Sequence, residues 1–394
     1  MTERTDILFY VQHLLGIGHL RRAAAIARAL DARRLRVDFV SGGLPLTDLQ
    51  IGGARLVQLA PLQSRDEAFS ALVDAQGRAV DDDWKAARAG KLLAAFQTAR
   101  PKVIMTEMFP FGRRQMRFEL VPLLKAARAQ TPPPTVVCSV RDILNRQQKP
   151  EKIDWTVDTL NRYFDRVLVH GDPHLLSLDD TFPDLARVNP PVEYTGYVVT
   201  TPPARARAIK GGAPAPEGEV IVSTGGGRVA AALIEAALAA RPRGPLRDVP
   251  WRILIGPGLP AEAFEAHVRR APPGVVIERA RPDFQGLLAR SRLSISQAGY
   301  NTVLEVLRAG CPAVVVPFAA AGETEQSQRA RLLADRGALT VVSESDLCAE
   351  ALDQGIRQAL DQAKDGPDGG LSLQMDGAET TARILAHTLD ILPG

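Results

Sequence analysis

The chain has 394 residues, of which 45% are hydrophobic and 24% charged, and its formal net charge is +3. That length suits two domains with real cores, and so small a charge argues against nucleic acid as a partner. Three cysteines without a CxxC pair or a His-rich tract argue against a disulfide framework and a zinc centre, and Cys138 and Cys311 sit in apolar runs where cysteine is a small buried hydrophobe. The start, MTERTDILFYVQ, has no signal-peptide apolar core, and no apolar run reaches the roughly 18 residues needed to span a bilayer. The expected location is therefore the cytoplasm, with peripheral membrane contact at most.

Short apolar runs alternate with Ala/Leu-rich helical stretches along the whole chain. In the first half, strands are predicted at 7–12, 37–40, 103–106, 136–140 and 166–169; in the second, at 220–223, 252–255, 275–278, 293–296 and 313–317. The runs are apolar without clean alternation, the pattern of parallel strands buried on both faces. Helical periodicity between them, as at 20–30, 229–240 and 302–309, supplies crossover connections. This is an α/β reading with two doubly wound Rossmann-like domains. Residues 1–195 form the first and 220–375 the second, joined by a Pro/Gly/Ala-rich linker at 196–219. A last helical segment, 376–394, is expected to pack back on the first domain. Two irregular stretches, 64–84 and 109–115, follow strands of the first domain, where doubly wound folds keep ligand contacts.

Three motifs carry chemistry. The first, Gly16-Ile17-Gly18-His19, lies directly after the first strand and opens a helix, where glycines let the backbone approach a ligand and the helix terminus favours negative charge. It is not a dinucleotide fingerprint, because Arg21 replaces the third glycine and the second strand ends Ser41-Gly42-Gly43 without an acid. His19 is either an exposed or capping imidazole or a functional base. The second motif, Gly225-Gly226-Gly227-Arg228, again follows a strand and offers amide groups and a cation to phosphate. The third is the most specific: SQAGYNTVLE at 296–305, AGCPAVVVPF at 309–318 and ETEQ at 323–326. Gly299 permits a sharp strand-to-helix turn, Asn301 or Thr302 can cap the helix, and Glu305 lies one turn further on, in reach of ribose hydroxyls. Glu325 and Gln326 stand beyond Pro317, carrying groups suited to sugar hydroxyls.

These motifs resemble the C-terminal domain of GT-B glycosyltransferases, and most nearly the family 28 group that contains the N-acetylglucosaminyltransferase of lipid-linked peptidoglycan precursors. The stretch RPDF at 281–284 before SQAGYNT matches the same group. The resemblance implies two domains facing each other across a cleft. It implies that the backbone at Arg279, Ala280 and Arg281 contacts the nucleobase and that Glu305 holds the ribose. Gly225 to Arg228, with Gly299, Tyr300, Asn301 and Thr302, would hold the diphosphate, and Glu325 and Gln326 would read the donor sugar. Gly16 and Gly18 correspond to the acceptor-side glycine loop. Phe109, Phe111, Arg113, Arg114 and Arg117 themselves suggest an apolar and cationic lip near the first domain's cleft, consistent with a lipid phosphate or an anionic small molecule. The chain departs from the group in reading HLLGIGHL rather than GGTGGH in the first loop, and in lacking a basic residue at 196–200.

The implied reaction is an inverting, metal-independent transfer from a nucleotide-diphosphate sugar, with a UDP-sugar as leading donor. The acceptor is a small molecule or a lipid-linked group. His19, or Glu107 at the end of its strand, is the candidate base. No cofactor is needed beyond the nucleotide sugar as co-substrate, and no metal: Asp81-Asp82-Asp83 reads as a solvated charge run rather than a chelating pair. Competing readings are a nucleotide-sugar 2-epimerase, a non-catalytic nucleotide-sugar-binding protein and, more distantly, an NAD oxidoreductase.

Overall fold

A computed structural model describes residues 5–14, 16–47, 49–65, 71–144, 149–199, 218–224, 229–256, 258–318, 325–364 and 371–391. The chain divides into two units, Met1–Thr200 with Leu373–Gly394, and Thr201–Ser372. Each is built on one parallel sheet.

In unit 1 the strands are β1 (Ile7–Val11), β2 (Val37–Ser41), β3 (Arg55–Gln58), the pair β4 (Leu62–Ser64) and β5 (Leu72–Asp74), β6 (Val103–Glu107), β7 (Thr135–Arg141), β8 (Arg166–His170) and β9 (Val192–Tyr194). Seven of them form one sheet in the order β3-β2-β1-β6-β7-β8-β9, with β4 and β5 making a separate antiparallel hairpin. The helices are α1 (Gly18–Ala32), α2 (Asp82–Ala99), α3 (Arg117–Arg128) and α4 (Pro150–Tyr163). Strands β1, β2 and β6 are buried along their whole length, which is why their apolar runs are readable in sequence. The edge strand β3 is mostly exposed, and it carries no such run.

The acidic run 81–83 has a structural purpose. Asp81 caps α2 by accepting a hydrogen bond from the Trp84 amide at 2.8 Å, and Asp82 and Asp83 complement the helix dipole in its first turn.

Unit 2 contains β10 (Val220–Thr224), β11 (Trp251–Ile255), β12 (Val275–Arg279), β13 (Leu293–Gln297), β14 (Ala313–Val316) and β15 (Thr340–Val341) in the order β12-β11-β10-β13-β14-β15. Counted within the unit this is 3-2-1-4-5-6, the doubly wound dinucleotide-fold order. Helices α5 (Val229–Ala240), α6 (Ala261–Arg269), α7 (Phe284–Leu288), α8 (Tyr300–Ala309), α9 (Glu325–Ala334) and α10 (Ala349–Gln362) connect or cover the strands. Gly310 ends α8 in the left-handed region at φ 62, the conformation that favours glycine.

The last helix, α11 (Gly377–Ile391), belongs to unit 1. Its Ala378, Ala382 and Leu385 share a buried cluster with Leu20, Ala27 and Leu30 of α1. The returning segment is pinned by backbone bonds, from the Tyr197 amide to the Gln374 carbonyl at 2.7 Å and from the Gly377 amide to the Tyr197 carbonyl at 3.0 Å. A Cβ on Gly377 would lie 2.3 Å from the Gly196 carbonyl oxygen, so the crossing requires glycine there.

Candidate active site

Doubly wound sheets bind ligands beyond the carboxyl ends of their strands, where the order reverses. In unit 1 that switch point lies between β1 and β6, and in unit 2 between β10 and β13. Each unit places its principal motif there.

In unit 1, β1 leads into the loop carrying Gly16 and Gly18, and α1 starts at Gly18, so His19 occupies its first turn. Glu107 is the last residue of β6, the neighbouring strand. Their meeting is direct: His19 Nδ1 lies 2.8 Å from Glu107 Oε1. Arg22, one turn further along α1, donates to the same oxygen, and Glu107 Oε2 is buried with no hydrogen-bond partner among the described residues. An ionised Glu107 can only accept, so Nδ1 carries the imidazole proton and Nε2 keeps its lone pair. The Glu107 side chain is 1% exposed and that of His19 17%.

Burial pushes His19 down to about 4, against the pull of Glu107, with Arg113 and Arg22 adding to the depression. Burial alone would raise Glu107, but the pull of His19, Arg22 and Arg113 holds it well below the usual carboxylate range. The pair at neutral pH is therefore a carboxylate orienting a neutral imidazole.

The turn that follows β6 holds the cation in place. Met108 and Arg113 both adopt left-handed backbone conformations, at φ 65 and 57, which non-glycine residues rarely take. Arg113 donates its Nε to the Gln12 carbonyl at 2.9 Å, and the Gln12 side-chain amide donates to the carbonyls of His13 at 2.8 Å and Leu62 at 2.9 Å. Gln12 Oε1 in turn accepts from Arg88 at 2.7 Å, and the fully buried Arg88 pairs with Glu119, which accepts the Tyr10 hydroxyl. The loop after β1 is thus braced by a buried polar chain. Gly42 at the end of β2 makes room for it, since a Cβ there would sit 2.1 Å from Gln12 Oε1.

Phe109 does not line an exposed lip. It is fully buried and packs edge-on against Trp155 at 5.7 Å between ring centroids, and Phe111 is buried against Phe182. The backbone turn after β6 swings these rings into the core, so of the expected lip only its basic residues remain accessible.

In unit 2, β13 leads through Ala298 into α8. Gly299 is the helix N-cap at φ −63, an ordinary value, so the turn does not itself demand glycine. Neither Asn301 nor Thr302 caps the helix: no side chain does. The first turn has no acid, and Asn301 Oδ1 is buried without a hydrogen-bond partner among the described residues. This terminus presents bare amide groups. Gly225 to Arg228 lie outside the described residues.

Glu305 is half-buried and accepts a hydrogen bond from Gln285 of α7 at 3.1 Å. Glu325 is 4% exposed and is bonded by Arg329 at 2.8 Å, while the Arg329 guanidinium stacks 4.8 Å from the Tyr300 ring centroid. The two halves of the third motif therefore meet through Arg329. Gln326 Oε1 accepts from the Phe318 amide at 3.1 Å, closing the end of β14.

The side chains of Arg279 and Arg281 are structural. Arg279 donates to the carbonyls of Gly256 at 3.1 Å and Leu259 at 3.0 Å and lies over the Phe264 ring. Arg281 grips Asp283 through two bonds of 2.8 Å and Glu278 at 3.1 Å, which raises its pKa further. The Ala280 amide is taken by the Ile255 carbonyl at 2.9 Å. Glu278 also meets Arg252, itself buried against Glu219, so a charge ladder fixes the turn after β12.

Residues 220–369 match the profile of the glycosyltransferase family 28 C-terminal domain. That match covers most of unit 2. Among characterised proteins, the chain is 31% identical over 199 residues to the UDP-N-acetylglucosamine--N-acetylmuramyl-(pentapeptide) pyrophosphoryl-undecaprenol N-acetylglucosamine transferase of Phenylobacterium zucineum, a match covering 48% of this chain and 53% of that one. The enzyme of the same name from an Exiguobacterium is 33% identical over 173 residues, covering 43% and 47%. The chain thus spans about half the length of the curated relatives it matches. The glycosyltransferase of kitacinnamycin has a TM-score of 0.64 at 18% identity, covering 99% of this chain and all of the other. The MurG protein of Acinetobacter baumannii has 0.58 at 19% identity, covering 97% and 99%. The two parallel sheets are those of the GT-B glycosyltransferase fold.

Within unit 2, the structure brings Tyr300, Glu325 and Arg329 together and sets Glu305 against Gln285. In unit 1 it unites His19 with Glu107 and Arg113. Arg22, Gln12, Gln285 and Arg329 are absent from the sequence reading. A signal existed for two of them: Arg22 lies three residues after His19 and Arg329 four after Glu325, the helical spacings at which side chains meet. Among the described residues, no group of three His, Cys, Asp or Glu side chains is placed to hold a metal, and no helix is long and apolar enough to cross a membrane.

Proposed function

We propose that the protein transfers a glycosyl group from a nucleotide-diphosphate sugar, with a UDP-sugar as leading donor, to an acceptor hydroxyl, with inversion and without a metal. The observation that carries this reading is the His19–Glu107 pair at the switch point of unit 1, in a chain whose second unit matches the family 28 domain. A neutral imidazole fixed through Nδ1 leaves Nε2 to take the acceptor proton as the hydroxyl oxygen bonds the anomeric carbon. The bond from that carbon to the diphosphate breaks, and the leaving nucleoside diphosphate carries away the electron pair. The uncapped start of α8 supports stabilisation of that anion, and Glu305 supports a grip on the ribose. Expected location is cytoplasmic, with at most peripheral contact to a membrane.

The test is a thermal-shift and calorimetry panel of UDP, dTDP, GDP, ADP and CDP, run on the native chain and on Glu305→Ala. Selective stabilisation by one nucleotide, lost in the variant, sustains the donor site. Binding of NAD(H) with no response to any diphosphate would sink it.

A further inference from the structure

Glu305, the acid of the third motif, does not stand alone on α8. Its Oε1 accepts a hydrogen bond at 3.1 Å from the side-chain amide of Gln285, 20 positions earlier in the chain. Both residues are half-buried, where α7 packs on α8. Resting on the donor-site reading, we propose that Gln285 is a positioning residue for Glu305. Its amide holds the carboxylate for the ribose hydroxyls and so makes the site select a ribonucleoside diphosphate over one whose sugar lacks them.

Both ends of this bond are anchored through the backbone. Asp283, just ahead of α7, is gripped by Arg281 through two bonds of 2.8 Å, and Arg281 also reaches Glu278 at 3.1 Å. Leu287 and Leu288 of α7 are buried. Helix α8 is seated by Val303, Leu304 and Val306, all buried as well. With both backbones fixed, a side-chain bond between the helices selects the orientation of Glu305 rather than following it.

A glutamate side chain is rich in rotamers, and freezing it when a ligand binds costs affinity. Gln285 removes that cost in advance. An amide N–H also suits the task chemically, because it donates to a carboxylate without neutralising it, as Lys or Arg would. A carboxylate carries about four lone-pair sites, and this contact takes one of them. A ribose offers two adjacent hydroxyls, and a carboxylate already set in place gains more from them than one that must first be ordered.

UDP and 2′,3′-dideoxy-UDP are the probes, titrated by calorimetry into the full chain and into Gln285→Ala, Gln285→Glu and Glu305→Ala. The native chain is expected to prefer UDP. Gln285→Ala should weaken UDP binding about three- to tenfold, the worth of one hydrogen bond, and leave the dideoxy nucleotide unchanged. Gln285→Glu keeps the shape and loses the donor, so it should cost at least as much. In a Glu305→Ala background Gln285→Ala should cost nothing further, since its effect passes through that carboxylate. A fold defect would weaken both nucleotides alike, so the ratio of the two affinities is the deciding readout. Equal losses for both nucleotides, no native preference for UDP, or undiminished UDP binding in either Gln285 variant overturns the proposal. The donor-site reading survives those outcomes as long as Glu305→Ala weakens UDP binding. UDP binding that is absent, or that Glu305→Ala leaves intact, brings down the donor-site reading and this proposal with it.

Discussion

The two switch-point turns share a topology and differ in what fills them. After β1 the turn is crowded with ionisable groups already paired to one another, His19 with Glu107, Glu107 with Arg22, and Arg113 close to both. After β13 the turn ends in a helix terminus with no side-chain cap and no acid in its first turn. The difference originates in the strand edges. β6 ends on a carboxylate that can orient an imidazole, whereas β13 ends on Gln297 and passes through Ala298 and Gly299, which leaves the amides of α8 open. One turn is built to hold a proton in a chosen place, the other to meet an anion.

The sharpest way to break that contrast is to cross substitutions with measurements. His19→Ala is expected to lower kcat by about 10²- to 10⁴-fold, the usual contribution of a positioned base, while leaving nucleotide affinity unchanged. Glu305→Ala should do the reverse, weakening nucleotide binding about tenfold through the lost bonds to hydroxyls. Release of nucleoside diphosphate from the donor, with calorimetry on the same samples, reads both. Equal loss of binding in the two variants would mean that the turns are not specialised.

Glu107→Ala tests the crowded turn as structure. It leaves the buried Arg22 without its carboxylate, and breaking such a pair costs about 3–5 kcal/mol. Urea unfolding should show that loss; a change under about 1 kcal/mol would show that the pair is not a buried charge pair in solution.

The outlines of this arrangement are written in the sequence unevenly. Central strands such as β1, β6 and β10 are legible because burial on both faces demands continuous apolar runs. Edge strands β3, β9 and β15 are not, because their residues stay partly exposed and carry no pattern. His19 and Glu107 could be nominated separately, from a glycine-rich helix start and a strand end. That they touch depends on β1 and β6 being neighbours, a fact of topology 88 residues apart. Phe109 is misplaced for a related reason: a turn with two left-handed non-glycine residues, which no local propensity predicts, carries the ring inward. Asn301 resembles a helix cap by type and position, yet the N-cap is Gly299, two residues earlier.

Acid should weaken unit 1. Burial pushes His19 to about 4 and His170, fully buried between Ser139 and Thr195, to about 3. Both lie below the 6.5 of free imidazole, so the unfolded chain takes up protons first as the pH falls. Their stabilising contribution is whole above about pH 6.5 and is lost below it, at roughly 1.4 kcal/mol per pH unit for each histidine. Glu107, held low, adds its own loss only at more acid pH. At pH 5 each histidine accounts for about 2 kcal/mol, and His170→Asn should flatten the fall in melting temperature between pH 7 and 5. A variant with the same slope as the native chain would show that His170 is protonated in the fold.

The smallest effect gives the cleanest comparison of the two turns. Gly43→Ala, at the end of β2, would bring a Cβ to 2.3 Å from the His13 ring, so His13 must shift and the loop after β1 with it. A loss of about 1–3 kcal/mol is expected there, the usual cost of overpacking a filled site. Gly299→Ala meets nothing nearer than Thr302 Oγ1 at 4.0 Å, and its φ of −63 is open to any residue. Stability should change by less than about 0.5 kcal/mol, as for an unconstrained position. The methyl group would nonetheless stand beside the uncapped amides of α8. If those amides meet a diphosphate, Gly299→Ala weakens nucleotide binding while the melting temperature of the free protein stays put. Unchanged affinity would place the diphosphate elsewhere and leave the bare helix terminus without a ligand.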